Sequence, residues 1–266
     1  MRIERATFHV VRLPLKFPYV TSGATETHET HVIARLESEG VAGWGESVAP
    51  ERPWYSGETP STVLLALEEF LLPALFRADL GRPEDAGAAF AHVREHRMAK
   101  ATLEMAVWDL FAKRAGRPLA ALLGGTRDRI LCGVAIGLKP SIAELLATVE
   151  RELAGGYRRV KVKVRPGDDL AIARAIRERF PTLDFMVDAN SAYTLADLDL
   201  FRAMDETRPM MIEQPLAHDD LVDHATLQRA LRTPICLDES IRSGEDARKA
   251  IAIGATRVVN IKAGRV

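Results

Sequence analysis

The sequence predicts an α/β protein in which an α+β first half, residues 1–128, precedes a partial parallel (β/α) barrel over residues 129–266. Three observations predict it. The rhythm changes near residue 129, from mixed strand and helix patterns to strict alternation of a short apolar run with an amphipathic segment of a dozen or so residues. The runs are short and rich in apolar residues, as buried strands of a parallel sheet are. Finally, Lys163, Asp188, Glu213, Asp238 and Lys262 follow one another at intervals of 25, 25, 25 and 24 residues, one βα unit apart.

In chain order, alternation over 3–13 predicts a strand, and 31–48, interrupted by Ser38-Glu39-Gly40, predicts a hairpin. Ser61 is placed to cap the run TVLLALEEFLL, Pro83 to open a helix through about Arg97, and MAKATLEMAVWDLFAKRAG carries apolar residues at helical spacing until Gly116 and Pro118 stop it. The predicted barrel strands are 131–136, 160–164, 184–188, 210–213, 235–239 and 258–262, with helices such as SIAELLATVERELA between them. Gly124-Gly125 reads as a plain connection between the halves.

Composition removes several function classes. The chain has 266 residues, 36 Lys+Arg against 37 Asp+Glu, and a formal net charge of -1, so it carries no global field for nucleic acid or an anionic membrane. At 47% hydrophobic and 27% charged it matches folded globular proteins rather than disordered ones. No GxxxxGK[ST] or GxGxxG appears, and Trp44, Trp54 and Trp108 are too scattered for a base-stacking platform. His9, His28, His31, His92, His96, His218 and His224 show no HExxH or HxH pattern and read as surface or packing residues. Cys132 and Cys236 each lie in an apolar run and read as reduced core residues. Arg2, Glu4 and Arg5 stand where a signal peptide needs apolar residues, and no run of about 18 apolar residues follows, so the expected location is the cytoplasm.

Three apolar residues precede each of Asp188, Glu213 and Asp238, which puts every acid at the carboxyl end of its strand, where α/β barrels build active sites. One charged residue at a strand end is ordinarily a solvated terminus; five in register at a constant period are not. Three converging carboxylates repel unless a cation joins them, and all-oxygen ligation favours Mg²⁺ or Mn²⁺ over Zn²⁺. The remaining coordination positions suit a small-molecule carboxylate substrate. Lys161 and Lys163 share one strand face, and a neighbouring cation, a metal and burial would lower the proton affinity of Lys163 enough for it to act as a base. Lys161 is either part of that chemistry or only a charge neighbour. Lys262, from the sixth strand, is placed to face Lys163 across the substrate, an arrangement suited to removing an α-proton and stabilising an enediolate. Asn190 either touches a ligand or caps a turn. Glu239, turned away by alternation, would support the site from behind.

Lys161-Val-Lys163, Val187-Asp188-Ala-Asn190, Ile212-Glu213-Gln-Pro215, Leu237-Asp238-Glu239-Ser240 and Asn260-Ile-Lys262, in that order and spacing, resemble the enolase superfamily, muconate-lactonizing subgroup. Arg52-Pro-Trp-Tyr55, Gly156-Tyr157-Arg-Arg-Val160, Asn190-Ser-Ala-Tyr193 and Gln214-Pro-Leu216 resemble, within it, o-succinylbenzoate synthases and the related N-acylamino acid (N-succinylamino acid) racemases. The resemblance implies an enolase-type modified TIM barrel with an N-terminal α+β capping domain. It further implies Mg²⁺ on Asp188, Glu213 and Asp238, Lys163 as base, Lys262 as opposite acid/base or stabilising cation, Lys161 tuning Lys163, and the region of Tyr55 closing over the substrate's distal end. The implied reaction is a lyase reaction: α-proton abstraction and loss of water to give o-succinylbenzoate for menaquinone synthesis. Reprotonation from the other face by Lys262 would instead give racemisation, an isomerase activity, and a muconate-type cycloisomerase is a third reading. By family analogy the protein is expected to be a homo-oligomer.

A closed barrel needs about eight strands, and six are found before Val266, so the C-terminal strands are expected to be missing from this chain, with the glycine-rich strand ends that help bind the substrate carboxylate. A noncatalytic binding or assembly remnant is the reading from a different class; retention of all five ionisable positions speaks against it.

Overall fold

In the computed structural model, residues 1–20 and 25–265 are described. The first strands are β1 (Arg5–Val20), β2 (Thr25–Ser38) and β3 (Val41–Ser47), in sheet order β1-β2-β3. β1 runs well beyond the predicted 3–13, through Pro14 and Pro18, which an edge strand tolerates because its outward N–H groups need no partner. The expected hairpin joins β2 to β3. Ser38 pairs with Val41, and Glu39 (φ 50°) and Gly40 (φ 77°) both take the left-handed conformation of a two-residue turn. Val32, Ala34 and Leu36 on the inner face of β2 are fully buried.

Five α-helices and one π-helical turn complete this half among the described residues: α1 (Pro60–Ala66), continued by the π-turn over Leu67–Leu71 and by α2 (Leu72–Arg77), then α3 (Asp85–Ala89), α4 (Arg97–Arg114) and α5 (Leu119–Leu122). The cap of α1 is Thr59 rather than Ser61, because Thr59 and Thr62 form a reciprocal capping box around Pro60 at the first helical position. The helix predicted from Pro83 to Arg97 shortens to α3, and α4 starts where the Glu58 carboxylate accepts from the N–H groups of Met98 (2.8 Å) and Ala99 (3.0 Å). The α4 backbone lies so close to β3 that a Cβ on Gly45 would stand 2.0 Å from Thr102 O and one on Gly43 2.1 Å from Ala106 O.

The second half alternates as predicted: β4 (Gly133–Ile136), α6 (Ile142–Ala154), β5 (Arg159–Lys163), α7 (Asp169–Arg179), β6 (Asp184–Asp188), α8 (Leu198–Asp205), β7 (Ile212–Glu213), α9 (Leu221–Ala230), β8 (Ile235–Leu237), α10 (Gly244–Ala252) and β9 (Val258–Val259). These strands form one parallel sheet of six in sequence order. Val160, Val162, Phe185, Val187, Ile212, Ile235 and Leu237 pack with Val149, Ile176, Phe201, Leu227 and Ala250 of the helices to form its core.

Two expectations are corrected here. The sixth strand ends at Val259, so Lys262 follows it: Asn260 N still donates to Leu237 O (2.9 Å), after which Lys262 begins a turn closed by Arg265 N on Lys262 O (2.9 Å). Cys132 is exposed rather than core, because β4 begins at Gly133, after it; Cys236, on β8, is buried.

The chain divides into two compact units, Met1–Leu15 with His28–Arg129 and Lys262–Val266, and Lys16–Thr27 with Ile130–Ile261. The end of β1 from Lys16 to Val20 and the start of β2 from Thr25 to Thr27 count with the second unit, where Leu138 N donates to Val20 O (3.0 Å). Among the described residues no helix is long and apolar enough to cross a membrane.

Candidate active site

The site of the second unit is built on strand register. Lys163 pairs with Asp188 across β5 and β6, and Asp188 with Glu213 across β6 and β7, so these three side chains stand in a row on one face at the carboxyl ends of their strands. The next pairing is Glu213 with Cys236, which leaves Asp238 two residues further along, on the same face and just past the end of β8. Asp188, Glu213 and Asp238 are 1%, 1% and 2% exposed, and Lys163 is 7% exposed. Charges this dry persist only when paired.

Lys163 Nζ donates to Asp188 Oδ2 and to Asn190 Oδ1, both at 2.6 Å. Lys161, two residues back on the same face, reaches Asp188 Oδ2 at 2.9 Å and the two oxygens of Glu213 at 3.0 and 3.2 Å. Burial works to lower the proton affinity of Lys161, but Asp188 and Glu213 outweigh it and raise it, so Lys161 stays a cation. Burial, and after it the charge of Asp188, holds Glu213 above the usual carboxylate range. Asn260 Nδ2 donates to Glu213 Oε1 at 3.0 Å.

Asn190, with φ 44°, holds three partners at once. Its N–H donates to Asp188 Oδ1 (3.1 Å), its Oδ1 accepts from Lys163, and its Nδ2 donates to Glu239 Oε1 (3.0 Å). Glu239 therefore does not point away as strand alternation predicts, because β8 ends at Leu237 and alternation stops there. Burial, then Asp238, pushes Glu239 up to about 7. Burial pushes the Cys236 thiol up to about 12, which keeps it neutral and inert among these acids.

Lys262 and Tyr55 belong to the first unit, and there they meet. The Lys262 ammonium lies 5.7 Å from the centre of the Tyr55 ring, the Arg265 guanidinium 5.3 Å from it, and Arg265 Nη1 donates to Tyr55 Oη. Tyr55 is thus an aromatic platform under two cations.

Gln214 and Asn260 stand in motifs that carry the family resemblance but have no role assigned from the sequence, and Arg265 stands in none of them. Asn260 follows β9 directly as Asp238 follows β8, and Gln214 directly follows Glu213 in a family motif, whereas Arg265 carries no signal without a structure.

Among the described residues no three Asp, Glu, His or Cys side chains are gathered so that they could hold a metal ion as they stand; the Lys161 ammonium bridges Asp188 and Glu213 instead. Donor type and charge nonetheless fit a hard divalent cation. All the anionic groups are carboxylates, and Asp188, Glu213, Asp238 and Glu239 outnumber the two ammonium groups beside them, a surplus felt in the raised Glu213 and Glu239.

Comparison with known proteins places this geometry. Residues 3–124 match the mandelate racemase / muconate lactonizing enzyme N-terminal domain, and residues 144–266 the enolase C-terminal domain-like family. The chain is 53% identical to an o-succinylbenzoate synthase of Geobacillus kaustophilus, over 100% of this chain and 71% of that protein. It is 49% identical to an N-succinylamino acid racemase of Thermus thermophilus, over 100% of this chain and 72% of that one. A crystal structure of an enolase superfamily member from Listeria innocua superposes with a TM-score of 0.97 at 41% identity, covering 100% of this chain and 72% of that one. The L-Ala-D/L-Glu epimerase of Bacillus subtilis gives 0.92 at 29% identity, covering 100% and 76%. Proteins of this superfamily are typically metal-dependent enzymes. With matches in both halves and close relatives along its whole length, this chain belongs to the enolase superfamily, in its mandelate racemase / muconate lactonizing enzyme branch.

Proposed function

We propose that the chain is a lyase of the o-succinylbenzoate synthase type, with N-succinylamino acid racemase activity as the second reading. One observation carries it: Lys163 Nζ stands 2.6 Å from Asp188, in register with it and with Glu213, at the strand ends of a chain 53% identical to an o-succinylbenzoate synthase. Asp188, Glu213 and Asp238 would hold a divalent cation, Mg²⁺ by preference and Mn²⁺ as its substitute. Once bound, the cation supplies electrostatic stabilisation of the negative charge that builds on the substrate carboxylate as its α-proton leaves.

The protein's own part is proton handling. Lys163 takes the α-proton of the cyclohexadiene substrate, the C–H electron pair enters the ring, and the hydroxyl leaves as water with that proton handed back from Lys163. Asp188 Oδ2 and Asn190 Oδ1 orient the Lys163 nitrogen before and after transfer. Lys161 keeps a fixed positive charge beside Asp188 and Glu213. In the racemase reading, favoured by the 49% identity to the Thermus enzyme, Lys262 returns a proton to the opposite face instead.

The test is ultraviolet-monitored conversion of the cyclohexadiene precursor with Mg²⁺. Lys163→Ala is expected to lower kcat by roughly 10²- to 10⁴-fold or more, the range of a lost general base. Lys262→Ala is expected to abolish racemisation of an N-succinylamino acid while exchange of one enantiomer's α-proton persists. Full turnover by Lys163→Ala would remove the assignment of the base. The reading carries with it a cytoplasmic location and a homo-oligomeric assembly, which cell fractionation and light scattering would check.

A further inference from the structure

The geometry points to Gln214 as the positioning residue that sets the spacing of Asp188, Glu213 and Asp238, an inference that rests on the metal-dependent reading above. Gln214 directly follows Glu213, is 0% exposed, and takes the left-handed conformation with φ 37°, which a side-chain-bearing residue adopts only when its surroundings enforce it. Every hydrogen-bonding group it owns is used. Its N–H donates to Cys236 O (2.8 Å), and its C=O accepts from Ser191 N (2.8 Å). Its side-chain Oε1 accepts from Asp238 N (3.0 Å) and Ser240 N (3.2 Å), while Nε2 donates to Ser240 Oγ (2.7 Å) and Leu216 O (3.3 Å).

These bonds answer a problem that the strand ladder leaves open. Glu213 pairs with Cys236, so Asp238 lies beyond the last pairing of β7 with β8, where no β7 backbone group remains to fix it. The Gln214 side chain reaches past the ladder and takes the Asp238 N–H itself. On its other side the Gln214 carbonyl holds Ser191, in the loop that carries Asn190, and Ser191 (φ 60°) is left-handed like Asn190 (φ 44°). Three non-glycine residues with left-handed backbone thus meet around one amide that ties the ends of β6, β7 and β8 together. The four Gln214 side-chain bonds go to three backbone groups and the Ser240 hydroxyl, so its effect on the carboxylates acts through backbone placement. It makes carboxylate spacing, and not only local stability, depend on Gln214.

The experiment is titration of the purified metal-free chain with MgCl₂ by calorimetry, well below its melting temperature, beside thermal melts without metal. Gln214→Met keeps the volume and removes all four side-chain hydrogen bonds; it is expected to raise the Mg²⁺ Kd by at least about tenfold, the size of effect that support behind ligands commonly has. Ser240→Ala removes only the hydroxyl partner and is expected to raise Kd about threefold, as one neutral hydrogen bond allows. Val149→Ala, in the core on α6, serves as the control: it is expected to lower the metal-free melting temperature with Kd unchanged. In turnover assays at saturating Mg²⁺, Gln214→Met is expected to lower kcat with little change in KM. A Gln214→Met Kd within threefold of the parent overturns the inference while the metal-dependent reading stands. If Gln214→Met does not fold, an unchanged Kd in Ser240→Ala overturns it equally. Absence of Mg²⁺ binding by the parent overturns both.

Discussion

Lys161 and Lys163 sit two residues apart on one strand and meet different surroundings. Lys163 shares its proton donors between one carboxylate and one amide, whereas Lys161 spans two carboxylates that are each 1% exposed. Lys161→Met therefore leaves Asp188 and Glu213 facing each other with less compensation. In EDTA it is expected to lose about 2 kcal/mol of unfolding free energy by urea titration, less than a fully buried broken pair because Lys161 is partly solvated; no loss would show that the bridge is not formed in solution. His224 is a second residue whose charge state matters. It is fully buried; Nδ1 meets the Asp220 carbonyl, while Nε2 accepts from Leu216 N (3.2 Å), a bond that only the ring unprotonated at Nε2 can make. Burial, as the largest influence, lowers its proton affinity below the ordinary 6.5. The unfolded chain then binds the proton more readily than the folded one, so this contribution to stability is complete above about pH 6.5 and is lost as pH falls below it. Denaturation midpoints at pH 7.5 and 5.5 are expected to differ more in the parent than in His224→Gln, and equal differences would contradict it.

At the scale of elements, the packing of α4 on β3 and the strand-end loops carry most of the information. Gly43 and Gly45 face inward on β3, and the contacts a Cβ would meet there are backbone oxygens of α4, which cannot step aside as a flexible side chain can. Gly45→Ala is expected to cost about 3 kcal/mol in a urea titration, or to prevent accumulation of folded protein, because overpacking against backbone moves a whole helix; a cost below half of that would mean that α4 and β3 separate easily. The hairpin at Glu39-Gly40 and the helix α4 were legible in the sequence because turn chemistry and helical periodicity are local. The cap of α1, the shortening of the predicted 83–97 helix and the early end of β9 were not. Thr59 won over Ser61 through a partner three residues on, α4 takes its start from Glu58, and β9 stops because only Val258 and Val259 find places on β8.

For the molecule as a whole, the surplus of buried carboxylate makes metal and stability one quantity. Mg²⁺ at one hundred times its Kd is expected to stabilise the fold by about 2.7 kcal/mol, as a ligand bound only by the folded state must. Melts in EDTA and in MgCl₂ check this, and coincident curves would count against the metal site. The 25-residue period from Lys163 to Asp238 was enough, without coordinates, to place four ionisable residues at successive strand ends, since one βα unit consumes a nearly constant length of chain and a parallel sheet in sequence order turns that length into adjacency. By itself the sequence thus determined the parallel architecture, the residues of the acid-and-lysine row and the superfamily. Tertiary structure alone decided how those residues are used. Register set Asp238 two residues past the partner of Glu213, loop backbone brought Asn190 between Lys163 and Glu239, and packing gave Tyr55 to Lys262 and Arg265. The physical reason is range: periodicity and turn preference act between neighbours along the chain, whereas hydrogen bonds at strand ends and burial of charge depend on groups brought together from distant parts of the sequence.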